Sequence, residues 1–218
     1  MRHIATITLT LLILIVPASI VLAQAHDPAE ANIGFRRFEI VMEGGLAIPL
    51  GDLPDSPENT LEGMGAELGY TLGVRLRFFL NKTLTLAPSF AYTEFGDHDG
   101  YIGSEIYHIN TRILRYGLDL AYVAPGGHNT LRPFVGIGGA FVRNKYREEN
   151  ETLETFYEAG VNGISWAVLA GFRLANWDLT FHYDLNKFTT SQFIYPPEDL
   201  DYNWSNLSLR IGYIMPRF

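Results

Sequence analysis

Ten charged residues, five acids and five bases, stand where the chain alternates between bulky apolar and small polar side chains. They are Glu39, Glu43, Arg75, Arg77, Arg115, Asp119, Arg173, Asp178, Asp184 and Arg210. All ten fall on the small polar side of the alternation, so they should share one face. Isolated charges in a narrow interior of low dielectric constant cost several kcal/mol each, whereas equal numbers of both signs can pair. We therefore expect one internal ion-pair network.

His182 stands two positions before Asp184, so both side chains lie on the same side of an extended strand. An imidazole beside a carboxylate can act as a general base with its orienting group, and the same residue types bind zinc. Two residues are weak evidence for a site that needs three ligands, and the alternative is that His182 belongs to the internal network. We favour the network and predict no catalytic residue, metal or cofactor.

The element that positions these side chains is a β-strand, because apolar residues recur at every second position from Phe38 onward. Eight segments of about ten residues follow this pattern. Their apolar rows begin at Phe38, Leu68, Leu84, Leu114, Val135, Ile164, Trp177 and Leu207. The residues between the apolar ones are mainly Gly, Ala, Ser and Thr, with the ten charges among them.

This second row decides which face of the sheet is enclosed. In a soluble barrel the bulky row would fill the interior, and Lys, Glu and Asp would dominate outside. The interior of an eight-stranded barrel is only just wide enough for side chains, so small residues with a few pairable charges fit inside it. The bulky row then faces lipid. The sequence predicts an all-β fold: an eight-stranded antiparallel up-and-down transmembrane barrel.

The connections between segments alternate in length, which supports the same fold independently. The long, polar ones are 51–66, 95–104, 143–162 and 187–203. The short ones are 81–82, 124–130 and 175–176. Outer-membrane barrels place long loops outside the cell and short turns in the periplasm.

Closure of such a barrel places the first and eighth segments side by side, which predicts partners for several charges. The expected pairs are Glu39 or Glu43 with Arg210 and Arg75, and Arg173 with Asp178 across the turn 175–176. The functional alternative for the network is a gate or the lining of a narrow pore. The small number of strands favours a fixed polar core instead.

The outward row also contains polar residues. Glu94, Ser104 and His108 have the residue types of a catalytic triad. Small barrels that deacylate lipid A carry such a triad on their lipid-facing surface, but with the serine and histidine closer together on one strand. Arg112 and Asn110, near the outer rim, could engage lipid phosphates. We expect aromatic girdles at the membrane interfaces from Tyr92, Tyr116, Tyr122, Trp166, Trp177, Tyr183, Trp204 and Tyr213.

Composition excludes several other classes of protein. Hydrophobic residues make up 47% of the chain, yet no run past the N-terminus approaches the roughly 18 apolar residues of a spanning helix. The absence of cysteine excludes disulfides, thiolate metal sites and a cysteine nucleophile. A net charge of −8 argues against nucleic acid as a partner.

The first residues have the pattern of a secretory signal. Arg2 precedes an apolar stretch over 4–21, and small residues near Ala23 suit cleavage. We predict a signal peptide over 1–23, an N-terminal periplasmic segment over 24–36 and the barrel domain over 37–218. The alternative is an uncleaved anchor helix.

Three runs resemble small outer-membrane β-barrel proteins of the OmpA/OmpX/OmpW-like superfamily. They are EGGLAIPLGD at 43–52, PFVGIGGA at 133–140 and LRIGY at 209–213 followed by a terminal Phe218. The resemblance covers nearly the whole mature chain. It implies that Tyr213 and Phe218 form the signal read by the barrel-assembly machinery, although Pro216 interrupts the alternation.

The leading functional hypothesis is a non-enzymatic barrel in the bacterial outer membrane, with a structural or surface-interaction role in the cell envelope. Porin-like passage of small or hydrophobic solutes is the first alternative, and a lipid A-modifying enzyme is the second. The expected partners are outer-membrane lipid and lipopolysaccharide, and the barrel-assembly machinery during biogenesis. The oligomeric state is left open.

Overall fold

Strands make up all the regular structure that the computed structural model describes, over residues 38–55, 64–96, 98–102, 105–150, 155–190 and 200–215. They are β1 Phe38–Pro49, β2 Glu67–Phe79, β3 Leu84–Gly96, β4 His98–Ile102, β5 Glu105–Val123, β6 Arg132–Asn150, β7 Thr155–Leu174, β8 Trp177–Thr190, β9 Leu200–Asn203 and β10 Asn206–Ile214. No helix in these ranges is long and apolar enough to cross a membrane. The predicted signal peptide 1–23, the segment 24–36 and Phe218 lie outside the described residues.

The strands close into one antiparallel barrel. Pairing follows the chain order except that β3 and β4 both pair with β5 and that β9 and β10 both pair with β8. β1 also pairs with β10, which joins the two ends of the sheet. β4 continues the line of β3 along β5, and β9 continues the line of β10 along β8. The ten strands therefore occupy eight positions around the barrel. We call each position a stave; β3 with β4 forms one stave, and β9 with β10 forms another. The predicted eight-stranded up-and-down barrel is confirmed.

Alternate residues of each stave point into the barrel. On β8 the burial pattern is strictly alternating from Trp177 to Asn186. The buried residues are Asp178, Thr180, His182, Asp184 and Asn186, and the apolar ones between them are 36 to 54% exposed. The small and charged row is therefore inside and the bulky apolar row outside, as the choice of barrel class required.

The outward apolar side chains form a belt around the barrel. On β5 the belt runs from Leu114 to Tyr122, and on β7 from Ile164 to Phe172. The register aligns Leu114, the last belt residue of β5, with Arg143 of β6, two residues beyond the last belt residue Phe141, so the belt edge differs by one inward–outward repeat between these two strands. Polar residues follow on the same face beyond this edge.

The connections lie at two opposite ends of the barrel. The short ones, 80–83, 124–131 and 175–176, define what we call the turn end. Ala175, in the shortest of them, has φ of 51°, a left-handed conformation that lets two residues reverse the chain. At the other end, called here the loop end, β1 ends at Pro49 and β8 at Thr190, and the β4–β5 and β6–β7 hairpins extend to this end.

Three of the predicted long loops contain more strand than expected. β6 runs to Asn150 and β7 starts at Thr155, inside the predicted loop 143–162. Strand likewise occupies most of 95–104 and both ends of 187–203. Beyond the apolar belt the outward row becomes polar, while apolar residues such as Ile109, Val142 and Tyr146 lie on the inward row. The outward apolar alternation that predicted the strands therefore stops there, although the backbone pairing continues.

Two adjacent glycines of β6 test which face is enclosed. A β-carbon on Gly138 would collide with the Asp119 carboxylate and lie 3.2 Å from Arg115 Nη2, whereas on Gly139 it would only touch the Trp166 ring at 3.5 Å. We expect Gly138→Ala to lower the free energy of unfolding by about 1–3 kcal/mol through overpacking. Gly139→Ala should not lower it. Urea titration of both refolded variants measures this, and equal losses would contradict the assignment of faces.

Candidate functional site

A ring of four charged residues crosses the lumen near the turn end. Arg77 donates to Glu39 at 3.2 Å and to Asp178, and Arg173 donates to Asp178 at 3.2 Å and to Glu39. Acids and bases therefore alternate around the ring, and each guanidinium bridges both carboxylates. The Arg173 guanidinium also lies over the Phe79 ring at 5.8 Å. We call this arrangement the four-membered ion ring.

A second ring, of six charged residues, lies at mid-height of the barrel. Its acids and bases alternate in the same way, and it joins β1, β2, β5, β8 and β10 across the lumen. Around this six-membered ion ring the shortest contacts are Glu43–Arg75 2.9 Å, Arg75–Asp119 3.8 Å, Asp119–Arg115 2.9 Å, Arg115–Asp184 3.0 Å, Asp184–Arg210 3.7 Å and Arg210–Glu43 2.8 Å.

Together the two rings contain all ten inward charges expected from the sequence. The ten residues are only 2 to 7% exposed. Removing so many charges from water is costly, and the cost is offset only where each charge meets opposite charges with good geometry. Glu43 pairs with both Arg210 and Arg75, and Arg173 meets Asp178 across the turn. The arrangement is chemically a cross-link between distant staves.

Small residues make room for these long side chains. A β-carbon on Gly117 would collide with the Arg115 guanidinium and lie 2.8 Å from Ser89 Oγ. Ser89 itself accepts a 2.8 Å hydrogen bond from Arg115 Nη1. The space for the rings is thus supplied by Gly117 of β5, between two ring members, and by small residues such as Ser89 and Gly138 on β3 and β6, which carry no ring member.

His182 is wholly enclosed beside the six-membered ion ring. Its Nδ1 lies 2.9 Å from Asp184 Oδ2 and 3.4 Å from Arg210 Nη2, and its side chain is 0% exposed. Asp184 is simultaneously held by Arg115. A base in this position has no access to a substrate. Within the described residues no group of three or more His, Asp or Glu side chains is arranged to hold a metal ion.

A layer of neutral polar side chains lies above the six-membered ion ring, toward the loop end. Asn144 and Asn186 exchange amide hydrogen bonds of 2.7 and 3.4 Å. A cavity of about 10 Å³ in this layer has room for about one water molecule. Ser165 Oγ and Asn206 Oδ1 border it and have no hydrogen-bond partner among the described residues, which such a water would satisfy.

An apolar cluster closes the lumen at the loop end, and sequence reasoning missed it. We call it the apolar cap. Its buried members are Ala47, Leu53, Met64, Ala66, Phe95, Ile109, Ile113, Ala140, Val142, Tyr146, Ala159, Tyr202 and Trp204. Phe188 stacks on Tyr202 at 5.5 Å and meets the Trp204 ring edge-on at 5.2 Å.

The assignment of Trp204 to an outer girdle was wrong, because its side chain is 0% exposed inside the cap. A signal in the sequence could have shown this. Trp204 has the same parity as Ser208 and Arg210, which belong to the inward row of the last stave. The other expected girdle residues point outward, and Trp166 is 66% exposed.

The outer wall holds a separate polar cluster around Glu94. Its carboxylate accepts hydrogen bonds from Arg112 Nε at 2.9 Å, Tyr92 at 2.7 Å, Tyr70 at 2.5 Å and Asn110 at 3.3 Å. The cluster thus orients Arg112 and is not arranged around a nucleophile.

Glu94 and His108, which have the residue types of two triad members, do not come together. The register pairs Glu94 with Arg112, and His108 stands four residues further along β5, about 13 Å of extended strand. That distance holds the carboxylate away from the imidazole. Ser104 lies outside the described residues.

The proposed assembly signal is described only in part. Tyr213 points outward near the turn end, is 38% exposed and contacts the Trp177 ring at a centroid distance of 5.0 Å. Phe218 lies outside the described residues, so the signal stays a prediction.

Comparisons with known proteins show likenesses of fold. No family model matches the chain, and no curated protein matches it in sequence. Among solved structures it is similar to neisserial surface protein A, with 16% identity, a TM-score of 0.47 and coverage of 84% of this chain and 98% of that one.

Two other solved structures show comparable likeness. Ail of Yersinia pestis has 10% identity and a TM-score of 0.49, with coverage of 82% of this chain and 97% of that one. OprG of Pseudomonas aeruginosa has 13% identity and a TM-score of 0.44, with coverage of 84% and 99%. Likeness at these levels concerns the path of the chain and carries nothing about ligand or activity.

Removing one carboxylate from the six-membered ion ring should strongly destabilise the barrel. Glu43→Gln leaves Arg75 and Arg210 buried without their shared counter-charge, which costs about 3–5 kcal/mol of unfolding free energy. Glu158→Gln, which breaks the exposed 3.1 Å pair with Lys145, should change little. Urea titration compares the two variants. A double variant, Glu43→Gln with Arg210→Met, should recover part of the loss; a simple sum of both losses would contradict the ring.

Proposed function

We propose that this chain is an integral barrel of the bacterial outer membrane, with the apolar belt as its lipid-contacting surface. Thirty large hydrophobic side chains in the described ranges are at least 36% exposed, and Phe141 reaches 73%. Apolar surface of this extent is not tolerated in water by a monomeric protein. The belt residues Leu114–Tyr122 span nine positions, matching the 9–11 residues of a membrane-crossing strand.

Closure of the sheet supports the same location. In hydrocarbon every backbone polar group must be paired within the protein, so only helices and closed barrels cross a membrane. The pairing of β1 with β10 meets this condition. We propose that the turn end lies in the periplasm and the loop end outside the cell, because outer-membrane barrels have short periplasmic turns and long external loops. A secretory signal over 1–23 would provide export.

The function that the geometry supports best is a non-enzymatic structural or surface-interaction role in the cell envelope, without solute passage. The observation that carries it is the filled lumen. Two ion rings, a neutral polar layer and the apolar cap follow one another from the turn end to the loop end. A barrier of this kind leaves the outer wall and the loop end as the surfaces for partners, namely outer-membrane lipid, lipopolysaccharide and the assembly machinery.

The filled lumen predicts that the purified barrel does not conduct ions. Reconstituted in planar bilayers, it should give no steady single-channel current, while a sixteen-stranded porin in the same membranes conducts through its aqueous channel. A Leu53→Ala variant thins the apolar cap and should still not conduct, because both ion rings remain. A large, steady conductance of the unmodified protein would replace this proposal with porin-like passage.

If the belt contacts lipid, the loss of stability caused by a charged substitution in it should depend on the depth of that position in the bilayer. Leu118 and Leu68 are 49% and 57% exposed. If the outer surface faced water, replacing either by Arg should therefore lower the free energy of unfolding by a similar, small amount. In a bilayer, Leu118→Arg at mid-belt should cost about 2–4 kcal/mol, and Leu68→Arg at the loop-end rim at most about 1 kcal/mol. Urea titration of refolding into vesicles measures both. Equal costs would contradict the lipid-facing orientation.

A further inference from the structure

Three basic side chains lie together on the outer wall just beyond the loop-end edge of the belt. The register aligns Arg112 of β5 with Lys145 of β6 and Lys145 with Gly160 of β7. Arg143 leans into this row, because a β-carbon on Gly160 would lie 3.6 Å from Arg143 Nε. Adjacent strands are about 4.8 Å apart, so three cationic groups occupy a strip about 10 Å wide.

Arg112 is held in place with its terminal nitrogens presented. Glu94 accepts from Nε of Arg112 at 2.9 Å, and Glu94 is itself fixed by the hydroxyls of Tyr70 and Tyr92. Within the described part of the chain, neither Nη atom of Arg112 has a hydrogen-bond partner. A guanidinium anchored through Nε in this way offers two parallel N–H donors, the geometry that matches a phosphate.

Arg143 provides positive charge that the protein does not neutralise. Arg112 pairs with Glu94 and Lys145 pairs with Glu158 at 3.1 Å. The side-chain hydrogen bond from Lys145 and its charge lower the pKa of Glu158, so this acid stays ionised. Arg143 is exposed and has no ion-pair partner among the described residues. The strip therefore carries one net positive charge.

The position of the strip along the barrel axis indicates which chemical groups of the membrane would contact it. The register aligns Arg143 with Leu114, the last belt residue of β5, and Phe141 two residues before Arg143 is 73% exposed within the belt. Arg112 lies one inward–outward repeat further along. If the belt spans the hydrocarbon, these guanidinium groups lie at the level of lipid headgroups, where phosphates are the available anions.

We propose that Arg112 and Arg143, with Lys145 between them, bind the phosphate of a lipid headgroup in the outer leaflet, and that Glu94 is the residue that positions Arg112. The proposal deepens the membrane role proposed above and rests on it. The site differs from general attraction to an anionic surface, because it depends on two particular guanidinium groups and not on the total charge of the rim.

The test is titration of the full-length, detergent-solubilised protein with lipid A carrying both phosphates, followed by native mass spectrometry. The same lipid A without phosphates is the matched ligand. Each basic group near a phosphate contributes roughly a fivefold preference, so Arg112→Gln with Arg143→Gln should weaken binding of the phosphorylated lipid about 25-fold. The control, Lys82→Gln with Lys187→Gln, removes the same charge from other exposed positions and should bind as the unmodified protein does.

Three results would overturn the proposal: equal binding of the two lipid A forms, equal weakening by both double variants, or complete displacement of the lipid by 10-fold excess inorganic phosphate, which would indicate a site for the free ion. Unchanged heat-dependent mobility of the variants excludes unfolding as the cause of a loss. Failure here with normal insertion into vesicles leaves the membrane role intact, whereas failure to insert removes both.

Discussion

The width of the lumen is the constraint on which the rest of this structure depends. A barrel of eight strands encloses a space that side chains fill completely, so its inward row must be small or must cancel its own charge. Residues such as Gly117 and Gly138 keep the inward row small where space is needed, and the two ion rings cancel the charge of its long side chains. Because each guanidinium bridges carboxylates from different staves, the rings also join staves that share no backbone hydrogen bonds.

Filling the lumen in this way decides what the molecule can do. The charged rings, the paired amides and the apolar cap fill successive levels of the lumen, and they enclose His182, whose side chain is 0% exposed. The proposed surface-interaction role therefore involves the outer wall and the loop end. On the outer wall, Glu94 is fixed by its tyrosine and arginine neighbours at the loop-end edge of the apolar belt.

The two faces of the sheet also explain why stability and location are linked. The belt is unfavourable in water and favourable in lipid, whereas the rings are favourable only while they are enclosed and complete. Insertion satisfies both faces at once. The same logic makes the outer cations informative: Arg143 lies at the belt edge without an ion-pair partner among the described residues, and the anion proposed for it is the phosphate of a lipid headgroup.

Alternation in the sequence was sufficient for the barrel, its orientation and the set of ten inward charges, because parity decides the face of each residue. It also contained the inward position of Trp204, which the girdle assignment overlooked. The inward–outward parity of a residue does not determine its position along the barrel axis. Only the tertiary structure decided that Arg115 meets Asp184, 69 residues away, and that Arg143 leans over Gly160, since these contacts depend on the stagger between staves. The extra strand beyond the belt was not predicted because its outward row is polar and its apolar residues, such as Ile109 and Tyr146, lie on the inward row.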